Sequence, residues 1–302
     1  MAVGVAHGKI ILMGEHSVVY HHPAIALPLI ENPITATVVD AKEMTITSKL
    51  YSGKLETAPE SLKPVKELVS ALKLHLNTTN VHIEIKSDIP IAAGFGSSAA
   101  VAAAITEAMY KFENEPLSKK AHFDWTQYSE TFAHGSPSGI DAMATRNTQG
   151  IIFRKNKETA FINRQLNAYL IIVHSGEKVA TKDTVGDVRT LMEQGKAQQS
   201  IQSLGDLTER TIEAYRQNQP KQIGVFMDQA QTELRLLTLS NHAIDDAVQI
   251  AKSKGALGAK LSGGGRGGAV IALAENESDA KAIKTAWQKK FTETWLINLN
   301  RG

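Results

Sequence analysis

The chain has 302 residues, 42% of them apolar and 21% charged, which is ordinary globular usage and excludes a mostly disordered chain. Lys and Arg number 33 against 31 Asp and Glu, so the net charge is only +2, which argues against a dedicated nucleic-acid binder. There is no cysteine, so disulfides, thiolate metal sites and thiol nucleophiles are excluded, and the length suits two domains of about 150 residues each.

Short aliphatic runs at Ile10–Met13, Ala24–Leu29 and Ile34–Asp40, separated by Gly, His and Pro, read as strands. From Ser61 to Leu76, the stripe Leu62, Val65, Leu68, Val69, Leu72 and Leu76 predicts a helix. Val81, Ile83 and Ile85 alternate with polar neighbours as in a half-buried strand. Helices are expected over Ser97–Phe112 and Phe123–Ala133, the second ended by Gly135 and Pro137. Strands follow at Gly150–Phe153 and Tyr169–Val173, and the polar stretch Lys155–Asn167 between them marks a domain boundary, giving domains 1–165 and 166–302. Residues 181–254 are helical in pattern, broken near Gly195 and Pro220. These amphipathic helices supply core and a subunit-facing surface, compatible with a homodimer. The chain then runs strand Leu257–Leu261, glycine loop Gly263–Gly268, strand Ala269–Ala274, helix Ser278–Phe291 and strand Trp295–Leu299. The pattern is α+β in two domains.

No targeting signal is visible over Met1–Met13, where Lys9 interrupts the apolar run, so the expected location is cytoplasmic. Between Asp88 and Glu107 lie 18 uncharged residues, the length at which a membrane span is considered. Pro90, Gly94, Gly96 and many alanines make it a buried loop and helix instead, with no membrane partner. His16, His21 and His22 do not fall at a recognised metal-ligand spacing.

Two glycine-rich segments carry the chemistry. Pro90-Ile91-Ala92-Ala93-Gly94-Phe95-Gly96-Ser97-Ser98-Ala99 leads from a strand directly into an alanine-rich helix. Converging backbone N–H groups and the helix N-terminus favour a phosphate there. Ser98 could place its hydroxyl on a phosphate-bound Mg²⁺, whereas Ser97 or Ser98 as a simple helix cap is the plainer alternative. No G-K-[ST] follows, so this is not a Walker A loop. The second segment, Lys260-Leu261-Ser262-Gly263-Gly264-Gly265-Arg266-Gly267-Gly268, has five glycines in the six positions 263–268. A hairpin needs one or two; five suggest close approach of backbone to a ligand, or a flexible surface loop.

Together these segments resemble motifs two and three of the GHMP kinases, with Phe95 where Leu is commoner. Gly8-Lys9-Ile10-Ile11-Leu12-Met13-Gly14-Glu15-His16-Ser17-Val18-Val19-Tyr20 resembles motif one, in the form of the mevalonate kinase branch. His134-Gly135-Ser136-Pro137-Ser138-Gly139-Ile140-Asp141 is similar to the segment carrying that branch's catalytic aspartate. The resemblance implies an N-terminal domain with a left-handed β-α-β unit, a ferredoxin-like C-terminal domain and an active site between them. It implies ATP as co-substrate, Mg²⁺, and mevalonate as the small molecule phosphorylated on its 5-hydroxyl. By the same resemblance Asp141 is the base and Lys9 its partner, while Ser98 and Glu130 are the Mg²⁺ ligands. Glu15, His16 and Asp141 line the substrate pocket, and Pro90, Ala92, Ala93, Gly94, Phe95, Gly96, Ser97, Ser98, Ala99, Gly263, Gly264 and Gly265 hold ATP. Outside the resemblance, Asp141 could equally be a helix N-cap and Glu130 a solvated helix carboxylate.

Motif three departs from the animal pattern, with Ser262 for Thr, Gly264 for Ala, Arg266 for Gly and Ala269 for Cys, and the shorter chain resembles a bacterial form. Arg266 either reaches the transferring phosphoryl group or projects into solvent. The rival functions are phosphomevalonate kinase, which would want extra cations for a substrate phosphate, and a non-catalytic ATP-binding sensor, which would tend to lose the base or its lysine.

Overall fold

A computed structural model describes residues 1–87, 95–134, 137–176 and 181–300. The chain forms two compact units that do not follow a single cut: Met1–Lys9 with Pro28–Thr148, and Ile10–Leu27 with Gln149–Gly302. Strands β1 (Ala2–Met13) and β2 (Ala24–Asp40) pair with each other, and each gives one end to either unit. β1 starts eight residues before the expected Ile10, and β2 is one strand of 17 residues where two were expected. Pro33, which suggested a break, and Pro28 both fall between the stretches of β2 laddered to its two outer neighbours. A proline there forfeits no bond of those ladders.

In the first unit β3 (Thr45–Thr47) and β4 (Ser52–Lys54) form a short hairpin, followed by helix α1 (Lys63–Leu76) and strand β5 (Val81–Ser87). β5 runs antiparallel to β2, with Val38 opposite Ile83, and parallel to β3, with Ile46 opposite Ile83. The return to a parallel strand requires a crossover, which α1 supplies. Helices α2 (Ser97–Phe112), α3 (Lys119–His134) and α4 (Ile140–Ala144) complete the unit. Leu68, Val69 and Leu72 of α1 meet Ala100, Ala104, Ile105 and Ala108 of α2 in a core that includes Ala36 and Val38 of β2. The alanines that looked like weak membrane material are buried here as close-packing surface; no described helix is long and apolar enough to cross a membrane.

In the second unit, β6 (Gly150–Phe153) pairs with Ala24–Ala26 of β2 and with β7 (Ala160–Ile162), a strand inside the polar stretch. A four-stranded antiparallel sheet has the order β11-β8-β10-β9, from β8 (Tyr169–His174), β9 (Gly258–Ser262), β10 (Ala269–Ala274) and β11 (Thr294–Asn298). β8 and β10 are the central strands, which explains their nearly continuous apolar sequences. Four helices fill residues 181–253: α5 (Thr181–Glu193), α6 (Gln198–Arg216), α7 (Pro220–Leu236) and α8 (His242–Ser253). The breaks at Gly195 and Pro220 are present; a third, at residues 237–241, has no Gly or Pro and ends with Asn241 capping α8 through the Ile244 N–H at 2.9 Å. Helix α9 (Glu277–Gln288) packs with α8 beside the sheet.

Edge strand β9 is held from outside. Asp228 and Gln231, one turn apart on α7, accept the Ala259 and Leu261 N–H groups at 3.0 and 2.9 Å. This fixes the strand that delivers the glycine loop.

Candidate active site

Lys9 is the end of the first unit's share of β1, and its N–H donates to the Phe95 carbonyl at 2.8 Å. Its apolar stem is buried and its Nζ lies 2.7 Å from Asp141 Oδ1, with the lysine side chain 5% exposed and the aspartate 30%. Asp141 is not the cap of its helix. Gly139 occupies that place at φ +92°, and Asp141 sits in the first turn of α4. A buried ammonium against a carboxylate that keeps one side open to solvent is a pair able to receive a hydroxyl proton.

Gly96 packs directly behind this pair. It has φ +64°, and a Cβ there would lie 3.0 Å from Lys9 Cε and 3.3 Å from Asp141 Oδ1. Only glycine combines that backbone with that proximity at little cost. Gly96 also caps α2 with no side-chain hydrogen bond, so neither serine plays the capping role. The Ser98 hydroxyl instead bonds the Glu130 carboxylate on α3. Glu130 is buried, not solvated, and its carboxyl is pushed up to about 7, first by burial and then by the Asp141 charge, against the opposing pull of Ser98 and Lys9. The first unit thus brings Lys9, Asp141, Ser98 and Glu130 together. Phe95 turns its ring into the core at 1% exposure and Ser97 and Ala99 are buried, so this segment presents chiefly backbone. Pro90, Ala92, Ala93 and Gly94 of the same segment, and Gly135 and Ser136 before Asp141, lie outside the described residues.

The second unit holds the other expected residues. Residues 11–16 run alongside β9 and its glycine loop. Ser262 accepts the Ile11 N–H at 3.1 Å and donates to the Ile11 carbonyl at 2.9 Å. His16, at a strained φ of +58°, places Nε2 2.9 Å from the Gly264 carbonyl. Burial lowers its pKa to about 4, with the Gly264 carbonyl opposing and the Arg266 charge assisting, so the ring is neutral and Nε2 carries the donated proton. The Glu15 carboxylate, lying fully buried, is paired with Lys260 Nζ, which also donates to the Leu261 carbonyl at 2.7 Å. Burial pulls the Lys260 pKa down while Glu15 holds it up.

Arg266 follows neither expected course. Its guanidinium pairs with Asp187 on α5, and its Nε and other terminal nitrogen donate to the carbonyl and hydroxyl of Thr238 at 2.9 and 3.1 Å. Its backbone N–H donates to the Leu239 carbonyl at 2.6 Å, and Asn241 donates to its carbonyl at 3.0 Å. Neighbouring Gly265 sits at φ +83°, where a Cβ would be 2.6 Å from the Leu239 carbonyl oxygen. The loop is therefore clamped onto the 237–241 turn, not free on the surface.

Sequence reasoning missed Lys260, Ser262, Asp187 and Gln231. One signal was present: Lys260 stands between Ala259 and Leu261 in an apolar strand, and a lysine there calls for a buried carboxylate. Nothing local names Glu15 as that partner, 245 residues away.

A family model described as GHMP kinases N terminal domain matches residues 63–146, and one described as GHMP kinases C terminal matches residues 211–293. The chain is 31% identical to a mevalonate kinase of Pyrococcus furiosus, over 93% of this chain and 92% of the relative. The fold is similar to that of L. major mevalonate kinase in complex with R-mevalonate, at TM-score 0.84 and 23% identity, covering 99% of this chain and 96% of the other. It is also similar to mevalonate kinase from methicillin-resistant Staphylococcus aureus, at TM-score 0.78 and 26% identity, over 99% of both chains.

Proposed function

The chain belongs to the GHMP kinases, and from that premise we propose that it transfers the γ-phosphoryl group of ATP to the 5-hydroxyl of mevalonate, releasing ADP and 5-phosphomevalonate. Phosphoryl transfer asks the protein to position donor and acceptor and to stabilise charge. Asp141 takes the proton of the attacking hydroxyl through its solvent-facing side. Lys9 holds that carboxylate in place, with its Nζ 2.7 Å from the acid. That contact is the observation on which the assignment of roles rests.

The hydroxyl of Ser98 and the carboxylate of Glu130 form an all-oxygen donor set, which fits Mg²⁺. Such an ion would take its remaining ligands from phosphate and water. When bound, Mg²⁺ would neutralise charge on the phosphate oxygens. Pro90 and residues 92–99 and 263–265 are those assigned to ATP, their backbone N–H groups (proline apart) serving as donors, and His16 faces the substrate as a neutral ring. A boundary between the two family domains at residue 165 falls between the N-terminal match ending at 146 and the C-terminal match beginning at 211, although the compact units interleave along the chain. The enzyme works in the cytoplasm.

A non-catalytic sensor is disfavoured because lysine and aspartate are both present and in contact. The test is ADP release by the purified protein with mevalonate, phosphomevalonate, homoserine and galactose offered separately. Turnover on mevalonate at least about tenfold above the others is expected; preference for phosphomevalonate would overturn the reading.

A further inference from the structure

Lys260, Ser262 and Gly264 occupy alternate positions at the end of β9 and the start of its loop, and each makes a polar contact with residues 11–16. Lys260 and Ser262 share one face of the strand, and the Gly264 carbonyl follows them in the loop; because all three contact the one short segment 11–16, they form one seam. Two contacts use backbone on one side: Ser262 spans the Ile11 peptide groups, and His16 donates to the Gly264 carbonyl. The third is an ion pair between two side chains that are both 0% exposed. Glu15 and His16 are adjacent, and Lys260 lies three residues before the glycine loop, so the ion pair anchors both ends of the seam at once.

The Glu15 carboxylate is therefore placed to reach Lys260, which it touches, and lies wholly inside the protein. We propose that Glu15 and Lys260 are positioning residues: a buried latch that sets His16 against the glycine loop 263–268, with Glu15 acting through Lys260 and not on the substrate. The proposal rests on the kinase reading above and refines it at these two residues. Removing one partner strands a charge in an apolar setting and lets the seam shift, whereas replacing both with apolar side chains of similar length leaves nothing unpaired.

The experiment is a double-mutant cycle of Lys260→Met, Glu15→Met and the pair together, reading kcat and the KM values for ATP and mevalonate. Each single change is expected to raise both KM values about tenfold or more, with a smaller change in kcat, because the seam positions binding groups and leaves Lys9 and Asp141 in place. The double variant is expected to regain at least about fivefold in each KM over either single. A double variant as impaired for mevalonate as Glu15→Met alone would show that the carboxylate acts on substrate and would overturn the latch. Single changes without effect would overturn it too. If a single variant fails to fold, the double decides: folded with saturable kinetics for both substrates supports the latch, and unfolded overturns it. If the wild type shows no mevalonate-dependent turnover, the proposed function fails instead, and equilibrium ATP binding by the same variants still tests the latch.

Discussion

The two units carry their charged site residues in opposite states. In the first, Asp141 keeps 30% of its side chain exposed and so open to a new partner, and Glu130 is driven to about 7, so it can change protonation under working conditions. In the second, Glu15 and Lys260 are 0% exposed and paired with each other, and His16 is pushed down to about 4, so its ring is neutral near pH 7. The first arrangement suits groups that must accept a proton or a cation during turnover. The second suits groups that must hold still. Burial with ion pairing removes the freedom that chemistry needs and provides the rigidity that binding loops need.

The sharpest way to break this contrast is at Asp141. Asp141→Asn is expected to lower kcat about 10²-fold or more with the ATP dissociation constant little changed, measured by single-turnover kinetics and nucleotide titration. The metal pair comes next. Ser98→Ala and Glu130→Gln should each raise the Mg²⁺ needed for half-maximal rate about tenfold, and together by less than the product, since both act on one ion. Because the Glu130 proton competes with the cation, the wild-type requirement should climb by up to about tenfold per pH unit below 7, and this part of the climb should vanish in Glu130→Gln.

Stability should follow pH differently in the second unit. His16 has a folded pKa of about 4 against an ordinary 6.5, so the unfolded chain binds the proton more readily. Its contribution is full above pH 6.5 and lost as the pH falls towards 4, with a slope of up to about 1.4 kcal/mol per pH unit. Denaturant melts of wild type and His16→Gln between pH 7 and 4 should differ by that slope. Parallel curves would mean that His16 is not held neutral.

The smallest effect is expected at Arg266. Its guanidinium is occupied by Asp187 and Thr238, so Arg266→Gly should leave kcat within about threefold and raise the ATP KM by a similar factor as the clamp loosens. Asp187→Asn should reproduce the KM change. A tenfold loss in kcat would place the guanidinium on the transferring group.

What could be read from the sequence was whatever leaves a local period or an ordered motif. The stripe Leu62 to Leu76, the run Ala269–Ala274 and the junction at Gly96 all announce themselves within a dozen residues. Lys9, Ser98, Glu130 and Asp141 were legible through motifs and meet in the first unit. Contacts across long sequence separations were not: Glu15 with Lys260 and Asp187 with Arg266 have no periodic signature. Helix α4 escaped because five residues are too few for a helical pattern, and β2 was divided because a proline such as Pro33 normally punctuates a strand. The burial of Glu130, unlike its role in the motif, was hidden: a carboxylate on an amphipathic helix looks solvated until its neighbours are known.

The most direct test of the account follows the phosphoryl group itself. Wild type and Asp141→Asn are each incubated with ATP, Mg²⁺ and mevalonate, and the products are read by phosphorus NMR over time. The account predicts 5-phosphomevalonate appearing in step with ADP for the wild type, and about a hundredfold slower or less for Asp141→Asn. Unchanged mevalonate with active wild-type protein and phosphomevalonate as the better acceptor, or equal rates for the two proteins, would contradict it.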